Sequence, residues 1–501
     1  MIFTKNIKHR GKVYNALTDD TRVIEAFLSN QVAQDEKLKL DSLLLVKTKQ
    51  NTPFVAKLQE HIALQSTEGD LESNVDSMDS QGDEVSKKGK VCVDSKGLMK
   101  TPCSQIHIIE ANELYDVLFA KSAMQIVGIT GTNGKTTTAA IIYSILLDLG
   151  YKVALLGTRG FFANDKQIRQ KGLTTPGLLE LYEDLCIAQE ESCDFFIMEA
   201  SSHAIEQERV AGLKFALKIL TNITSDHLDY HKSIEEYRRV KNSFFEGEGA
   251  KLLNADEPHA RCADKEAFYY GVEKRGHLNV SAYALESGID AHIVWQHKNE
   301  VDKSAIEAHL YGKHNLYNIL AGIAGVKILT HTSLESIAAT LGNFGGVGGR
   351  MEVVHTKPLV IVDFAHTHDG MKQIFESFRH QKLAVVFGAG GDRDKSKRPK
   401  MGACAAYYAH KIYITSDNPR TESPQSIIDD ILNGIERSEC VCVEINRKEA
   451  IHRALDELAD DEVLLILGKG DEDYQIIGTQ KIHFDDREVV RDYFKKSNAS
   501  K

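Results

Sequence analysis

A chain of 501 residues with 42% hydrophobic and 27% charged side chains is long enough for two to four domains and ordinary for a globular protein. Its net charge of −11 disfavours a nucleic-acid-binding surface, and no apolar run approaches the length of a membrane span. The first residues lack a secretory core and cleavage site. The eight cysteines show neither CxxC pairs nor zinc spacing, so they read as reduced thiols of a cytoplasmic protein.

Residues 1 to about 65 read as a small mixed α/β unit, with Leu43 to Val46 a strand and a polar turn at Thr18 to Arg22 ahead of a helix-like stretch, Val23 to Ser29. Residues 66 to 100 are acidic, Ser-rich and almost free of aromatics, a composition that buries too little apolar area to offset its ordering entropy. This predicts a mobile insertion, or else a partner-binding segment. Folded character returns with a helix pattern at Asn112 to Lys121.

The chain is organised around Val127 to Thr138. Gln125 to Ile129 reads as a buried strand and Ala139 to Leu149 as a helix, with glycines, Lys135 and Thr136 between them. That order makes a phosphate cradle. Backbone N–H groups and the helix N-terminus face the oxygens, Lys135 reaches the β/γ-phosphates and Thr136 holds Mg²⁺. The spacing departs from the standard loop, because Ile129 rather than Gly stands six residues before Lys135.

From 124 to about 345, strands (Lys152 to Leu156, Phe195 to Met198, Leu217 to Thr221) alternate with helices (Leu178 to Glu191), which predicts a mostly parallel sheet covered by helices. Glu199 ends an apolar strand, where an acid faces the ligand crevice and can hold Mg²⁺. Ser201, Ser202 and His203 follow without a nucleophile elbow, so substrate binding fits better than acyl transfer. Gln207 and Arg209 are anion binders or helix surface, and His227 is a metal ligand or a loop histidine. A capping box, Ser233 to Glu236, starts a helix whose apolar stripe carries Lys241. Such a lysine either snorkels or, once desolvated, becomes a nucleophilic amine able to take up CO₂ as a carbamate. His314, Asn315 and Asn318 open a further helix and either reach a nucleotide or cap it. Gly345 to Gly349 reads as a hinge. A second α/β rhythm follows, with strands at Leu359 to Asp363, Leu383 to Phe387, Ile412 to Thr415 and Val463 to Leu467. The turns after the last three, Gly388 to Arg398, Ser416 to Arg420 and Gly468 to Glu472, carry mixed charge suited to a zwitterionic ligand.

These residues together resemble the Mur ligase family, and within it the diaminopimelate-adding (MurE-type) ligases. The matches are Gly131-Thr-Asn-Gly-Lys-Thr-Thr137, Ser201-Ser-His203 with Gln207 and Arg209, Asp226-His-Leu-Asp229, Gly390-Gly-Asp-Arg-Asp-Lys395 and Asp417-Asn-Pro-Arg420. The resemblance implies three domains of α/β class. A small N-terminal domain for the UDP-sugar spans 1–123, a central P-loop ATPase domain 124–347, and a Rossmann-like amino-acid domain 348–501. It further implies that Gly131, Thr132, Asn133, Gly134, Lys135, Thr136, Thr137, His314, Asn315, Asn318, Arg350 and Asp363 bind ATP. Thr21, Thr174, Thr175, Ser201, Gln207 and Arg209 would bind the UDP-muramoyl dipeptide. Arg393, Asp417, Asn418, Pro419, Arg420, Gly468 and Glu472 would bind diaminopimelate. Thr136, Glu199, His227 and Lys241, the last carbamylated, would hold magnesium, and Lys135, Glu199, His227 and Lys241 would serve catalysis. The implied partners are these small molecules and ATP, without nucleic acid or membrane, acting on a cytoplasmic monomer. Asp471 stands where the family commonly has His, and His368 where Pro is usual. Glu206 and Glu208 add negative charge near the dipeptide site. A folylpolyglutamate-synthetase-like ligase and a nucleotide switch without ligase activity are the rival readings.

Overall fold

The computed structural model describes residues 106–286 and 288–499, and short pieces ahead of them at 2–3, 7–9, 12–14, 16–19, 43–47 and 55. Thr21, the stretch from Asp20 to Ser29 and the 66–100 segment lie outside the described residues. Leu43–Lys47, Ile106–Glu110, Ala16–Thr18 and Ile2–Phe3 form a four-stranded sheet, to which the helix Ala111–Phe119 is appended.

The central sheet has eleven strands. Its middle follows the order Val153–Gly157, Phe195–Glu199, Gln125–Thr130, Phe215–Leu220, Ala250–Asn254, Phe268–Gly271 and Leu278–Ala284, all paired in parallel. Both faces are apolar, so these strands read as continuous hydrophobic runs. Ile126 faces a layer built on Leu181, Leu185 and Phe244, while Val127 and Ile129 face Ile141, Ile145 and Ile319. The expected alternation of strand and helix stops after Asn254, with no further helix among the described residues before Lys313. Leu278–Ala284, Ile289–His297 and Glu300–Ala308 pair antiparallel with no helix between them. Gly160–Ala163 and Lys166–Arg169 turn the opposite edge antiparallel as well. Burial along Ile289–His297 alternates, as one-sided packing requires.

The C-terminal sheet follows the order Glu352–Thr356, Leu359–Asp363, Glu462–Leu467, Lys382–Phe387, Lys411–Ile414 and Val441–Val443, parallel except for its first pair. Its strands end at the three polar turns. Behind them the Arg447 guanidinium donates to both Asp486 oxygens at 2.7 Å and to the Leu467 carbonyl at 3.0 Å, with both side chains fully buried. That fork fixes the strand end from which the Gly468–Glu472 turn departs. Arg447→Met leaves a buried carboxylate unpaired and should destabilise the chain by about 3–5 kcal/mol. Arg447→Met combined with Asp486→Leu should recover much of that loss, as read from urea unfolding of both variants.

Candidate active site

The cradle forms as the spacing requires, although its helix begins earlier than the apolar pattern indicates, spanning Lys135–Asp148 with Gly134 as N-cap. Gly134 has φ +85°, and a Cβ there would lie 2.2 Å from Asn318 Oδ1. Glycine therefore serves both conformation and clearance. Lys135 Nζ donates back to the Gly131 and Thr132 carbonyls at 2.8 and 3.0 Å. Burial lowers its pKa, against the opposing charges of Glu199 and Asp226. Asn133 is pinned by Asn222, whose Oδ1 accepts from Asn133 N and whose Nδ2 donates to Asn133 O.

Glu199 is 1% exposed. Its Oε2 accepts from Thr136 Oγ1 at 3.0 Å and Thr158 Oγ1 at 3.2 Å, and its Oε1 from Thr158 N at 2.9 Å. Thr175 Oγ1 donates to its carbonyl at 2.8 Å and accepts from Ser201 N at 3.0 Å. Arg209 donates to Thr175 O and to Gln207 Oε1. Thr174, Thr175, Ser201, Gln207 and Arg209 are thereby brought into one network with the cradle. Thr158 went unread, yet it stands at a strand's carboxyl end like Glu199, and the same strand-end rule identifies it.

His227 sits at φ +54°, its backbone N–H held by Asp226 Oδ1 at 2.9 Å. Desolvation in the cavity pushes its pKa down to about 4 although its side chain is 46% exposed, and the neutral ring is the form that ligates metals. On the helix Ile234–Ser243, Ser233 Oγ caps Glu236 N as predicted, and the Glu236 carboxylate also accepts from Arg239. Lys241 is 1% exposed and makes no hydrogen bond or ion pair among the described residues. Burial, aided by the nearby Lys135 charge, drives its pKa well down, with Asp226 opposing. Its Nζ lies 4.8 Å from the Tyr237 ring centroid, and the Tyr237 hydroxyl bonds Thr132 Oγ1 at 2.9 Å. Among the described residues no three His, Cys, Asp or Glu side chains gather to hold a metal. The hard-oxygen pair Thr136 and Glu199 suits Mg²⁺, and a carboxylate made on Lys241 would add an oxygen donor.

One cavity of about 890 Å³ joins this network to the C-terminal turns. It is lined by Lys135, Glu199 and His227 on one side and by Arg393, Asp417 and Arg420 on the other. Gly131, Gln207, Pro419 and Lys241 are not among the residues that line it. Asn315 and Asn318 are linked by a 3.0 Å bond, and Arg350 lies over the Phe364 ring with its Nε unpartnered. Asp363 accepts from Met351 N and Ala365 N, both at 2.7 Å, and burial raises its pKa against Arg350. Arg420, at φ +51°, anchors one nitrogen on Gly391 O at 2.7 Å. Arg398, wholly buried, ties Gly390 O to Glu422. Asn418 is engaged within the turn: Nδ2 donates to Glu472 Oε2 at 2.9 Å, and Oδ1 accepts from Ile476 N at 2.9 Å and from Lys469 Nζ at 3.3 Å. Asp417 and Glu472 bring carboxylates to the same wall of the cavity.

Residues 129–326 match the Mur ligase middle domain and residues 349–470 the Mur ligase glutamate ligase domain. A protein of Helicobacter hepaticus named UDP-N-acetylmuramoyl-L-alanyl-D-glutamate–2,6-diaminopimelate ligase is 61% identical over 499 residues, 99% of each chain. One of the same name from Helicobacter pylori is 59% identical across 77% of this chain and 87% of its own. A solved structure bearing that name is 27% identical with a TM-score of 0.57, covering 79% of this chain and 85% of that one.

His314 gives a pH test. Its Nδ1 is buried without a partner, and burial pushes its pKa down to about 4. Its folded pKa thus lies below the unfolded value of about 6.5. Stability from the neutral ring is whole above pH 6.5 and is lost as pH falls towards 4. His314→Gln should flatten the stability profile across that window, measured by urea unfolding at half-unit pH steps.

Proposed function

This chain belongs to the Mur ligase family, and from that premise we propose that it joins meso-diaminopimelate to UDP-N-acetylmuramoyl-L-alanyl-D-glutamate at the expense of ATP. The single observation that carries the reading is the shared cavity, in which a phosphate cradle and a mixed-charge, amino-acid-sized set of turns face each other. A nucleotide switch has no use for the second wall. A folate acceptor has no counterpart in the names of the full-length relatives.

The D-glutamyl side-chain carboxylate attacks the γ-phosphorus of ATP, the β–γ bridging bond breaks, and ADP leaves an acyl phosphate. The diaminopimelate amine then attacks the acyl carbon, phosphate departs, and the amide forms with loss of a proton. Lys135 and the cradle N–H groups hold the phosphates and offset charge on the transferring group. Gly131 to Thr137 with His314, Asn315, Asn318, Arg350 and Asp363 form the nucleotide site, and Thr174, Thr175, Ser201, Gln207 and Arg209 the dipeptide site. Magnesium, when bound through Thr136, Glu199, His227 and a carbamate of Lys241, would neutralise phosphate charge. The domains follow as 1–123 for the UDP-sugar, with Thr21 near the uridine, 124–347 for ATP and 348–501 for the amino acid. No helix among the described residues is long and apolar enough to cross a membrane, and a cytoplasmic monomer fits the water-soluble substrates.

Carbamylation has a direct test. Lys241 is desolvated and unpaired, so its neutral amine can take up CO₂. Lys241→Ala should lose nearly all turnover, acetate should restore part of it, and intact-mass measurement under bicarbonate should show a labile carboxyl adduct on wild type alone.

The amino-acid choice rests on Arg420. A guanidinium fork held from behind by Gly391 presents its remaining N–H groups for a carboxylate, which lysine lacks at its far end. Arg393 would take the other carboxylate and Asp417 the distal ammonium. Groups left unpaired by lysine should give discrimination on the order of 10⁴. Comparing kcat/KM for both amino acids in wild type and Arg420→Ala checks this. Equal use by wild type, or an unchanged ratio in the variant, defeats the assignment.

A further inference from the structure

Lys171 joins the loop that carries Thr174 to the turn that carries Glu472, both of which line the cavity. It lies in the stretch between the strand Lys166–Arg169 and the helix Leu178–Glu190, three residues before Thr174. Its Nζ donates to the Asp471 carbonyl at 2.7 Å, across 300 residues of sequence. The same ammonium sits 3.9 Å from the Asp471 carboxylate, 3.7 Å from Asp473 and 5.8 Å from the centroid of the Tyr474 ring. An exposed ion pair contributes little, but this bond runs from a charged donor to a backbone carbonyl, and the Asp471 side chain is 11% exposed.

Both ends of the bridge are fixed to chemistry. On the central side, Arg169 is held to the helix by Glu183 at 2.6 Å and Asp184 at 3.1 Å, and Thr175 is held to Glu199. On the C-terminal side, Asp471 immediately precedes Glu472, whose carboxylate is oriented by Asn418 and by the fully buried Lys469 at 3.1 Å. A shift of Lys171 therefore moves the dipeptide loop and the amino-acid turn relative to each other. The departure at position 471 also acquires a reason. An aspartate there surrounds the ammonium with negative charge, which a histidine would not do.

We propose that Lys171 is a positioning residue, a clasp that holds the Gly468–Asp473 turn against the loop carrying Thr174 and Thr175, so that the attacking amine meets the acyl group. This rests on the ligase reading above and deepens it. Lys171 touches no reacting atom, so its loss should spare acyl-phosphate formation and impair amide formation.

The test uses the full chain with Lys171→Met, which keeps an unbranched stem, and Lys171→Arg, which restores a cation and donor. For Lys171→Met, kcat should fall and KM for diaminopimelate should rise, giving a loss in kcat/KM of about tenfold or more, the scale of one hydrogen bond from a charged donor. Hydroxamate trapped by hydroxylamine without diaminopimelate should stay at the wild-type level, and Lys171→Arg should recover most of the ligation. Unchanged kcat and KM in Lys171→Met, or a proportional loss of hydroxamate, overturns the clasp. If Lys171→Met does not fold, Lys171→Gln is judged by the same readings. Small-angle X-ray scattering of the ligand-free chain decides independently of substrate: the methionine or glutamine variant should have a larger radius of gyration than wild type, and superimposable curves overturn the clasp. If wild type releases no ADP with diaminopimelate, the ligase reading fails while the scattering comparison still judges the clasp.

Discussion

Glu199 ends a strand whose four other side chains are apolar and buried. A carboxylate withdrawn from water is tolerated only if hydrogen bonds replace its hydration. Here they come from the cradle through Thr136 and from the neighbouring strand end through Thr158, while the carbonyl of the same residue is taken by Thr175. Three loops that bear on the nucleotide and dipeptide sites are thereby referenced to one buried group. The arrangement is pre-organised: the donors that satisfy the carboxylate are those that a hard cation would share or replace, so metal entry exchanges partners without rebuilding the loops.

Much of this was legible because a parallel sheet buried on both faces writes itself as apolar runs, and chemistry collects where each run ends. Glu199, His227, Asp417 and Gly468 were all singled out that way, and all four line the one cavity. The β-branched run Thr136–Thr138 obscured the start of the cradle helix, since its first turn is shaped by the phosphate loop rather than by an apolar stripe. The antiparallel edge after Gly271 was missed because the expected rhythm of strand and helix was carried past the point where one face lost its cover. The Ser233 cap was legible as a local spacing, whereas the bond from Arg239 to Glu236 was not read. Long-range pairs such as Lys171 with Asp471 leave no periodic trace at all.

Charge is divided within the cavity in a way that net charge conceals. The chain carries −11 overall, yet Lys135, Lys241 and Arg350 cluster where phosphate is expected, and burial lowers the pKa of both lysines. The two lysines therefore differ in what they can do. Lys135 has carbonyl partners and the nearby Glu199 and Asp226 charges to keep its proton, whereas Lys241 has an aromatic face and a like-charged neighbour. The proposed roles follow that division: Lys135 as a cation for phosphate and Lys241 as the amine that takes up CO₂.

The cavity has two walls, carried by separate sheets and joined at Gly345 to Gly349. A ligand that touches both walls would stabilise their contact beyond what the Lys171 bond supplies, and whichever binds first would leave less ordering for the next. Linkage makes this reciprocal: the factor by which nucleotide tightens the amino acid must equal the factor by which the amino acid tightens nucleotide. Any cooperativity between substrates would then belong to the two faces and the segment that joins them, present at equilibrium before any bond is made.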